Sequence, residues 1–423
     1  MNNKLNTKNS YSIFSIIKGG FNKNSILDIS ISNKTPKKQY DVIVIGGGGH
    51  GMATAYYLAK NHGITNIAVV EKGLIGRGNT GRNTQVVRSN YLWTESSLLY
   101  EHSLKLWNNL SQDINFNVMY TKRGVFSLAH SYQEARDVAR RVTANKLNGI
   151  DSIYLTPKEI KDYIPIINIS PKVRYPIFGA SLQKRGGTVH HDAVAWGLAR
   201  RLNQIGVDIL QNCEVKNLII KNNIVNGIET NKGDIFASKI AVAVAGSSTR
   251  FAEMGKFKLP IESHPLQAWV SEPIKPILNP VIMSNAVHAY VSQAEKGELV
   301  IGAGIDKYIG YSQRGSFSVI ENATSAIIEL FPSFSKVKLL RTWAGLVDVS
   351  PDACPIIDLT PVKNLYINCG WGTGGFKATP GSGYVFAHTV ANNEPHVLNE
   401  PFSFTRFESG KLIDEHGAAG VAH

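Results

Sequence analysis

Cysteine is scarce in this chain of 423 residues. The three present, Cys213, Cys354 and Cys369, are widely spaced and fit reduced thiols in a cytosol better than a disulfide framework or a zinc site. Long apolar runs are also missing. No stretch approaches the roughly 18 residues a membrane-spanning helix needs. Residues 13–17 are too few and too polar for a signal-peptide core, and no small-residue cleavage site follows them. Acids are scarce at the start: residues 1–40 hold seven lysines and one acid, Asp28, so nearly half of the formal charge of +13 sits in an Asn/Lys-rich arm. We expect this arm, residues 1–38, to be poorly ordered and solvated or a subunit contact rather than a nucleic-acid or membrane binder. Neither zinc-finger spacing nor an RNA-binding aromatic motif is present. No metal site is expected, and the location expected is cytoplasmic. What remains is globular, 43% hydrophobic and 9% aromatic, and long enough for about two or three domains.

The most informative stretch is residues 41–71, DVIVIGGGGHGMATAYYLAKNHGITNIAVVE. A β-branched run over residues 42–45 predicts a buried strand. It leads into Gly46-x-Gly48-x-x-Gly51, and a helix is expected from Met52. A second apolar run, residues 67–70, ends in Glu71. This is the pattern of a dinucleotide-binding βαβ unit. The first glycine permits the tight turn, the second admits a pyrophosphate, and the third lets helix and strand pack closely. The helix N-terminus offers unpaired N–H groups to the phosphates, and an acid at the second strand end can accept from ribose hydroxyls.

Further along, periodicity predicts helices over residues 97–110, 134–147, 192–202 and 321–330, and a capped helix over 156–164. Strands are expected over residues 123–128, 207–215, 225–229 and 365–367. Residues 236–246 form a second hydrophobic strand ending in glycine, and alternating runs across 263–305 fit an antiparallel sheet. A glycine-rich turn, residues 370–381, precedes the last helix.

The glycine unit, the Arg/Asn-rich segment after it and GWGTGGFKATPG together resemble the D-amino-acid-oxidase-like flavoenzymes. Within that superfamily, GNTGRNT, RSNYLW, RYPIFGASLQ, VHHDAVAW, ESHPLQA, KGELVIGAGID, NCGWGTGGFKATPGSG and LIDEHGAA resemble the β subunit of heterotetrameric sarcosine oxidases. The resemblance spans residues 40–423. It implies an α/β fold: a Rossmann-like FAD-binding domain, residues 39–122, 187–262 and 340–423, with a discontinuous antiparallel-sheet substrate domain, residues 123–186 and 263–339. It also implies oxidation of sarcosine to glycine, with hydrogen peroxide and formaldehyde or 5,10-methylenetetrahydrofolate as co-products. FAD would be non-covalent. A covalent FMN would be shared with an α subunit that binds NAD and tetrahydrofolate, and γ and δ subunits would complete the assembly.

By the same resemblance, Gly46, Gly47, Gly48, Gly49, His50 and Gly51 would cradle the pyrophosphate, and Glu71 would hold the ADP ribose. Asn79, Thr80, Arg82 and Asn83 would lie beside the flavin. Val215 would offer backbone to the adenine, and Gly372, Gly374 and Gly375 would meet the isoalloxazine ring. Arg88 and Lys377 match the positions that bind the substrate carboxylate and border the flavin, a task suited to the planar guanidinium fork. His191, in HDAVAW, matches the histidine that carries FMN; His190 beside it competes, and a chain without covalent flavin stays open. Tyr290 and His288 are on a strand able to face the flavin, though packing roles are expected. Cys354 and Asp358 depart from the superfamily pattern near the flavin and read as drift. Two alternatives stand: a flavin-dependent dehydrogenase of dimethylglycine or proline, and a non-catalytic assembly subunit.

Overall fold

The computed structural model describes residues 34–413, without 285 and 307, and residues 13, 14, 17 and 21. The expectation of a poorly ordered arm therefore lies mostly outside the described residues. Where the arm meets the fold it is tied down: Lys34 and Lys37 reach Asp208 at 2.9 and 3.1 Å, and the Tyr40 hydroxyl donates to the same carboxylate at 3.1 Å. Among the described residues no helix is long and apolar enough to cross a membrane.

The chain opens with the predicted unit: β1 (Gln39–Ile45), α1 (Gly49–His62) and β2 (Ile67–Val70). The helix begins three residues earlier than its apolar pattern suggests. Gly48 is extended, and the Met52 amide already donates to the Gly48 carbonyl at 3.0 Å, so the glycines themselves form the first turn. β1 lies parallel between β2 and the Gly233–Val242 strand, with Val44 opposite both Val69 and Ala241. Strand Leu365–Cys369 adds in parallel to Gly233–Val242, and β2 continues to Asp208–Leu210. β1 and β2 are almost wholly buried, which is why they read as unbroken apolar runs.

Residues 207–215 are not one strand. Asp208–Leu210 closes the parallel sheet, the chain turns through Asn212 at φ 50°, and Val215–Lys221 starts an antiparallel meander. Likewise the strand expected over 236–246 stops at Val242, and Ala245–Ser247 turns away as a short 3-10 helix. The capped helix is found as Pro157–Tyr163: Glu159 Oε2 accepts from the Thr156 N–H at 2.8 Å, and Thr156 Oγ1 accepts from the Glu159 N–H at 3.4 Å.

The second large sheet runs Leu339–Val349, Glu262–Pro273, Glu298–Ile305, Ala289–Gln293, Val281–Ser284, Val125–Ala129, Gly179–Gln183 and Ile153–Leu155. It is antiparallel except where Val281–Ser284 lies parallel to Val125–Ala129. A small third sheet pairs Val86–Val87 and Thr121–Lys122 with Gly187–Thr188. Separate apolar clusters fill the two faces of the first sheet and the space under the second. The functional residues gather where the first sheet's strand ends meet Glu262–Pro273 and Leu339–Val349.

Candidate functional site

A cleft of about 880 Å³ opens at the carboxyl ends of β1 and β2. Its wall contains Gly46, Gly48, Gly49, His50, Glu71, Asn79, Thr80, Arg82, Asn83, Val215, Gly372 and Gly375, residues distant in sequence that the crossover topology brings together. The glycines divide by role. At Gly46, φ is +114° and a Cβ would stand 2.2 Å from the Ala243 carbonyl oxygen, so only glycine serves. Gly47, Gly51 and Gly374 stand behind the lining: a Cβ would strike Glu71, the Gly46 carbonyl and the Tyr100 hydroxyl, respectively. Gly48 and Gly372 face open space, Gly48 with only Thr80 Oγ1 at 3.3 Å and Gly372 with nothing within 4 Å. A side chain at either would occupy the cleft itself.

The polar groups also fit a dinucleotide. Gly48 brings no capping side chain and no acid sits in the first turn of α1; Thr80 Oγ1 accepts the Gly49 N–H at 2.9 Å, and the positive helix end faces the cleft. Glu71 Oε2 accepts from the Gly47 N–H and Oε1 from the Gly73 N–H, both at 2.8 Å, so its carboxylate is fixed at the cleft wall. The Thr379 hydroxyl lines the cleft at the start of the last long helix and, despite its burial, has no hydrogen-bond partner among the described residues. His50 turns away from the phosphate position. Its ring bridges Ser382 Oγ at 2.7 Å and the Gly375 carbonyl at 2.8 Å, and burial pushes its pKa down to about 4. It therefore ties the two glycine turns together as a neutral imidazole. Asn79 is spent on Leu346, whose N–H donates to its Oδ1 at 2.9 Å. Arg82 binds the Gly78 carbonyl at 3.1 Å and Gln313 at 3.0 Å.

A second cavity of about 110 Å³ adjoins the cleft and shares Asn83, Thr84, Tyr290, Thr373 and Phe376 with it. Arg88 and Lys377 both line it, beside His288 and Tyr290. The structure thus moves Arg88 and Lys377 out of the large cleft's wall. It also moves Tyr290 and His288 from the packing role expected of them to a cavity wall. Arg88, 3% exposed, donates to Asn90 Oδ1 at 3.0 Å and lies 4.3 Å above the Tyr91 ring; its Nε has no hydrogen-bond partner among the described residues. Lys377 sits in the 3-10 turn Phe376–Ala378, where its carbonyl accepts from Ser103 Oγ at 2.8 Å and Trp107 Nε1 at 2.9 Å. Its ammonium donates to the Thr373 carbonyl at 3.0 Å. Burial, reinforced by the Arg88 charge, lowers its pKa from 10.5 to about 7. Among the described residues neither cation forms a salt bridge to a carboxylate. Two buried basic groups lining one cavity, with no carboxylate paired to them among the described residues, suit a small carboxylate ligand.

Comparison with known proteins agrees with this geometry. The family described as FAD dependent oxidoreductase matches residues 41–389. The chain is 57% identical over 392 residues to a protein named sarcosine oxidase subunit beta from Arthrobacter sp, covering 93% of this chain and 97% of that one. It is 51% identical to the protein of the same name from Rhodobacter capsulatus, covering 98% and 99%. Among solved structures, L-proline dehydrogenase from P. horikoshii overlays with a TM-score of 0.82 at 28% identity, covering 89% of this chain and all of that one. The chain belongs to the sarcosine oxidase β-subunit family of FAD-dependent oxidoreductases.

Other residues of the family pattern lie apart from the two cavities. His191 opens the helix His191–Gln204, half-buried, with Nδ1 3.0 Å from Asp192 Oδ1. Asp192 Oδ1 stands 4.0 Å from the Cβ position of Gly81, so this helix starts against the 79–83 loop that contributes to the cleft wall. His190 is the helix cap, its Nδ1 accepting from the Ala193 N–H at 3.3 Å. His190, His191 and Asp192 are the one group among the described residues that brings three metal-type ligand atoms within 4.8 Å. Cys354 and Asp358 line neither cavity. The Cys354 carbonyl accepts from Arg406 at 2.9 Å, and Asp358 accepts the Phe404 N–H at 2.8 Å, so both anchor the C-terminal segment.

Sequence reasoning missed two cleft residues. Asp348 is buried and accepts the Gly370 N–H, and burial raises its pKa to about 7. An acid inside the apolar run LVDVS was the available signal. Thr84 is the other: its hydroxyl meets Tyr290, and nothing in the sequence distinguishes it from a loop threonine.

Proposed function

We propose that this chain is the amine-oxidising β subunit of a heterotetrameric sarcosine oxidase, with FAD held non-covalently in the large cleft and sarcosine in the small cavity. The observation that carries this reading is the pair of buried, acid-free cations, Arg88 and Lys377, next to a dinucleotide-shaped cleft. The names of its close relatives support sarcosine as the substrate.

Arg88 takes the carboxylate through its fork, and Lys377 takes a proton as the anion arrives beside it. Held at one end, the substrate has its N-methyl carbon turned toward the shared wall of the two cavities. Neighbouring cations and the apolar walls of Leu266 and Phe376 disfavour the ammonium form of the amine. The neutral amine is the form that gives up a hydride. Bound FAD supplies the two-electron acceptor for this C–H oxidation. The chain's own work is to bind, orient and exclude water.

Beyond this chain's pocket, the reading assigns oxygen as final acceptor and hydrogen peroxide as product. The one-carbon unit leaves as formaldehyde or, with tetrahydrofolate on an α subunit, as 5,10-methylenetetrahydrofolate. His191 is the proposed attachment site of a covalent FMN shared with the α subunit. With Nδ1 engaged by Asp192, the imidazole lone pair falls on Nε2, which is then the nucleophilic nitrogen. The α subunit would also bind NAD, γ and δ subunits would complete the assembly, and the location would be the cytoplasm.

One observation favours a second reading, a dehydrogenase of another secondary amino acid such as proline or dimethylglycine: the likeness to L-proline dehydrogenase. A single experiment separates them. The chain is co-expressed with its genomic neighbours and precipitated with acid, and the tryptic peptide containing His191 is weighed. FMN retained on that peptide, and lost in His191→Ala, supports the oxidase. A colourless pellet with FAD released to the supernatant supports the dehydrogenase. No flavin in either fraction overturns both.

A further inference from the structure

Arg88 lines the substrate cavity, but the residue after it is the one most heavily tethered. Ser89 is fully buried. Its N–H donates to Gln183 Oε1 at 2.8 Å, and its hydroxyl oxygen receives Gln183 Nε2 at 2.7 Å while donating to Glu101 Oε2 at 2.7 Å. The same Gln183 amide donates to Asp151 Oδ1 at 3.1 Å. A carboxylate only accepts, so this contact fixes which end of the amide is nitrogen. Arg185 completes the frame, with Glu101 Oε1 at 2.8 Å and Asp151 Oδ1 at 2.8 Å. Gln183 comes from the second sheet and Glu101 from the helix Thr94–Asp113, so two separate elements converge on one peptide.

We infer that Gln183 is a positioning residue for carboxylate recognition: by gripping both the backbone and the hydroxyl of Ser89, it sets where the adjoining Arg88 guanidinium enters the small cavity. Arg88 has few holds of its own, one amide oxygen, a long contact to the Asn90 carbonyl at 3.4 Å and the face of Tyr91. A long side chain so lightly held takes its direction from its backbone. A fully paired polar frame is rigid, and losing one member leaves buried groups unpaired. Shifts of about 1 Å at a binding group are enough to cost tenfold or more.

The inference rests on the reading of Arg88 as the carboxylate anchor, so the test includes that residue. FAD-loaded enzyme carrying Gln183→Met, Ser89→Ala or Arg88→Gln is titrated calorimetrically with acetate, a carboxylate lacking the amine, across pH 6–9. For Gln183→Met the acetate Kd is expected to rise about tenfold, while the rate at saturating sarcosine falls less than about threefold. The pH midpoint of acetate-linked proton uptake should move upward, because a displaced Arg88 repels Lys377 less. Ser89→Ala, which keeps the N–H contact to Gln183, should show a smaller rise, and it decides the question if Gln183→Met does not fold. Unchanged acetate affinity in the Gln183 and Ser89 variants, with weakened binding in Arg88→Gln, overturns the inference alone. Unchanged binding in Arg88→Gln overturns the anchor reading and this inference with it.

Discussion

Lys377→Met should make the ligand-free protein more stable at pH 6. Burial and then Arg88 lower the Lys377 pKa from 10.5 to about 7. At about 1.4 kcal/mol for each pH unit, that displacement corresponds to roughly 5 kcal/mol of cost for holding the charged form. The sign follows from proton counts. Between pH 7 and 10.5 the unfolded chain holds the proton and the folded chain does not, so the folded state gains on the unfolded as pH rises. Below pH 7 both hold it and the full cost is present. Methionine removes the charge at similar volume but also removes the hydrogen bond from Lys377 to the Thr373 carbonyl, a loss of about 1–3 kcal/mol. The net expectation is a gain of about 2–4 kcal/mol at pH 6, shrinking to about zero near pH 9. Urea unfolding at the two pH values measures it. A variant less stable than the parent by the same amount at both would refute the idea that an unpaired buried charge is held there for a ligand.

Three further expectations concern separate parts of the molecule. Gly302→Ala places a Cβ 1.9 Å from the Tyr290 ring carbon Cζ; Tyr290 must move, and sarcosine KM should rise about tenfold with FAD retained, as steady-state kinetics and flavin absorbance will show. Gly46→Ala meets the Ala243 carbonyl and a strained φ, so it should lose FAD and about 3 kcal/mol or more of stability, read by thermal unfolding. Asp352→Asn breaks a buried pair whose nitrogens lie 2.8 and 2.9 Å from the carboxylate of Asp352, with an expected loss of about 3–5 kcal/mol. Burial opposes ionisation of Asp352, but Arg406 outweighs it and holds the pKa below 3.8. The pair's contribution is therefore present above that value and lost as pH falls below it, so the drop that urea unfolding shows between pH 5 and pH 3 should be larger in the parent than in the variant, where the other paired carboxylates alone contribute.

The nucleotide half of the site was legible because its constraints are local. A turn needing φ of +114° at Gly46, a helix start and an acid at the next strand end fall within one stretch of chain. That Arg88 and Lys377 belong together was suggested only by resemblance. Arg88 and Lys377 are 289 positions apart, and no periodicity says that a strand end and a 3-10 turn will share a small cavity. Tyr290 was misjudged for a related reason: alternation along Ala289–Gln293 distinguishes two faces, but which face meets a cavity depends on Glu298–Ile305 beside it, where Gly302 leaves room for the ring. Strand ends failed where a turn lay inside an apolar run. In residues 207–215 apolar residues recur at alternate positions, Val207, Ile209, Cys213 and Val215, on both sides of the left-handed Asn212, so the strand period hides the break.

How this fold treats its other buried charges gives the small cavity its meaning. Asp352 is paired with Arg406, Glu101 with Arg185, and Asp208 with Lys34 and Lys37. Asp348 and Lys377, the charged groups pushed furthest toward neutrality, both border a cavity. Arg88 and Lys377 are left without an acid although desolvating a cation is costly. Chance does not favour two such cations in contact with one small space, since each raises the cost of the other. A carboxylate placed between them would reverse that relation, turning mutual repulsion into shared attraction and drawing a proton onto Lys377. Acetate binding should therefore take up close to one proton at pH 8 and almost none at pH 6. Calorimetry in buffers of different ionisation enthalpy measures this number directly, and uptake that is the same at both pH values would mean that the anion does not meet Lys377.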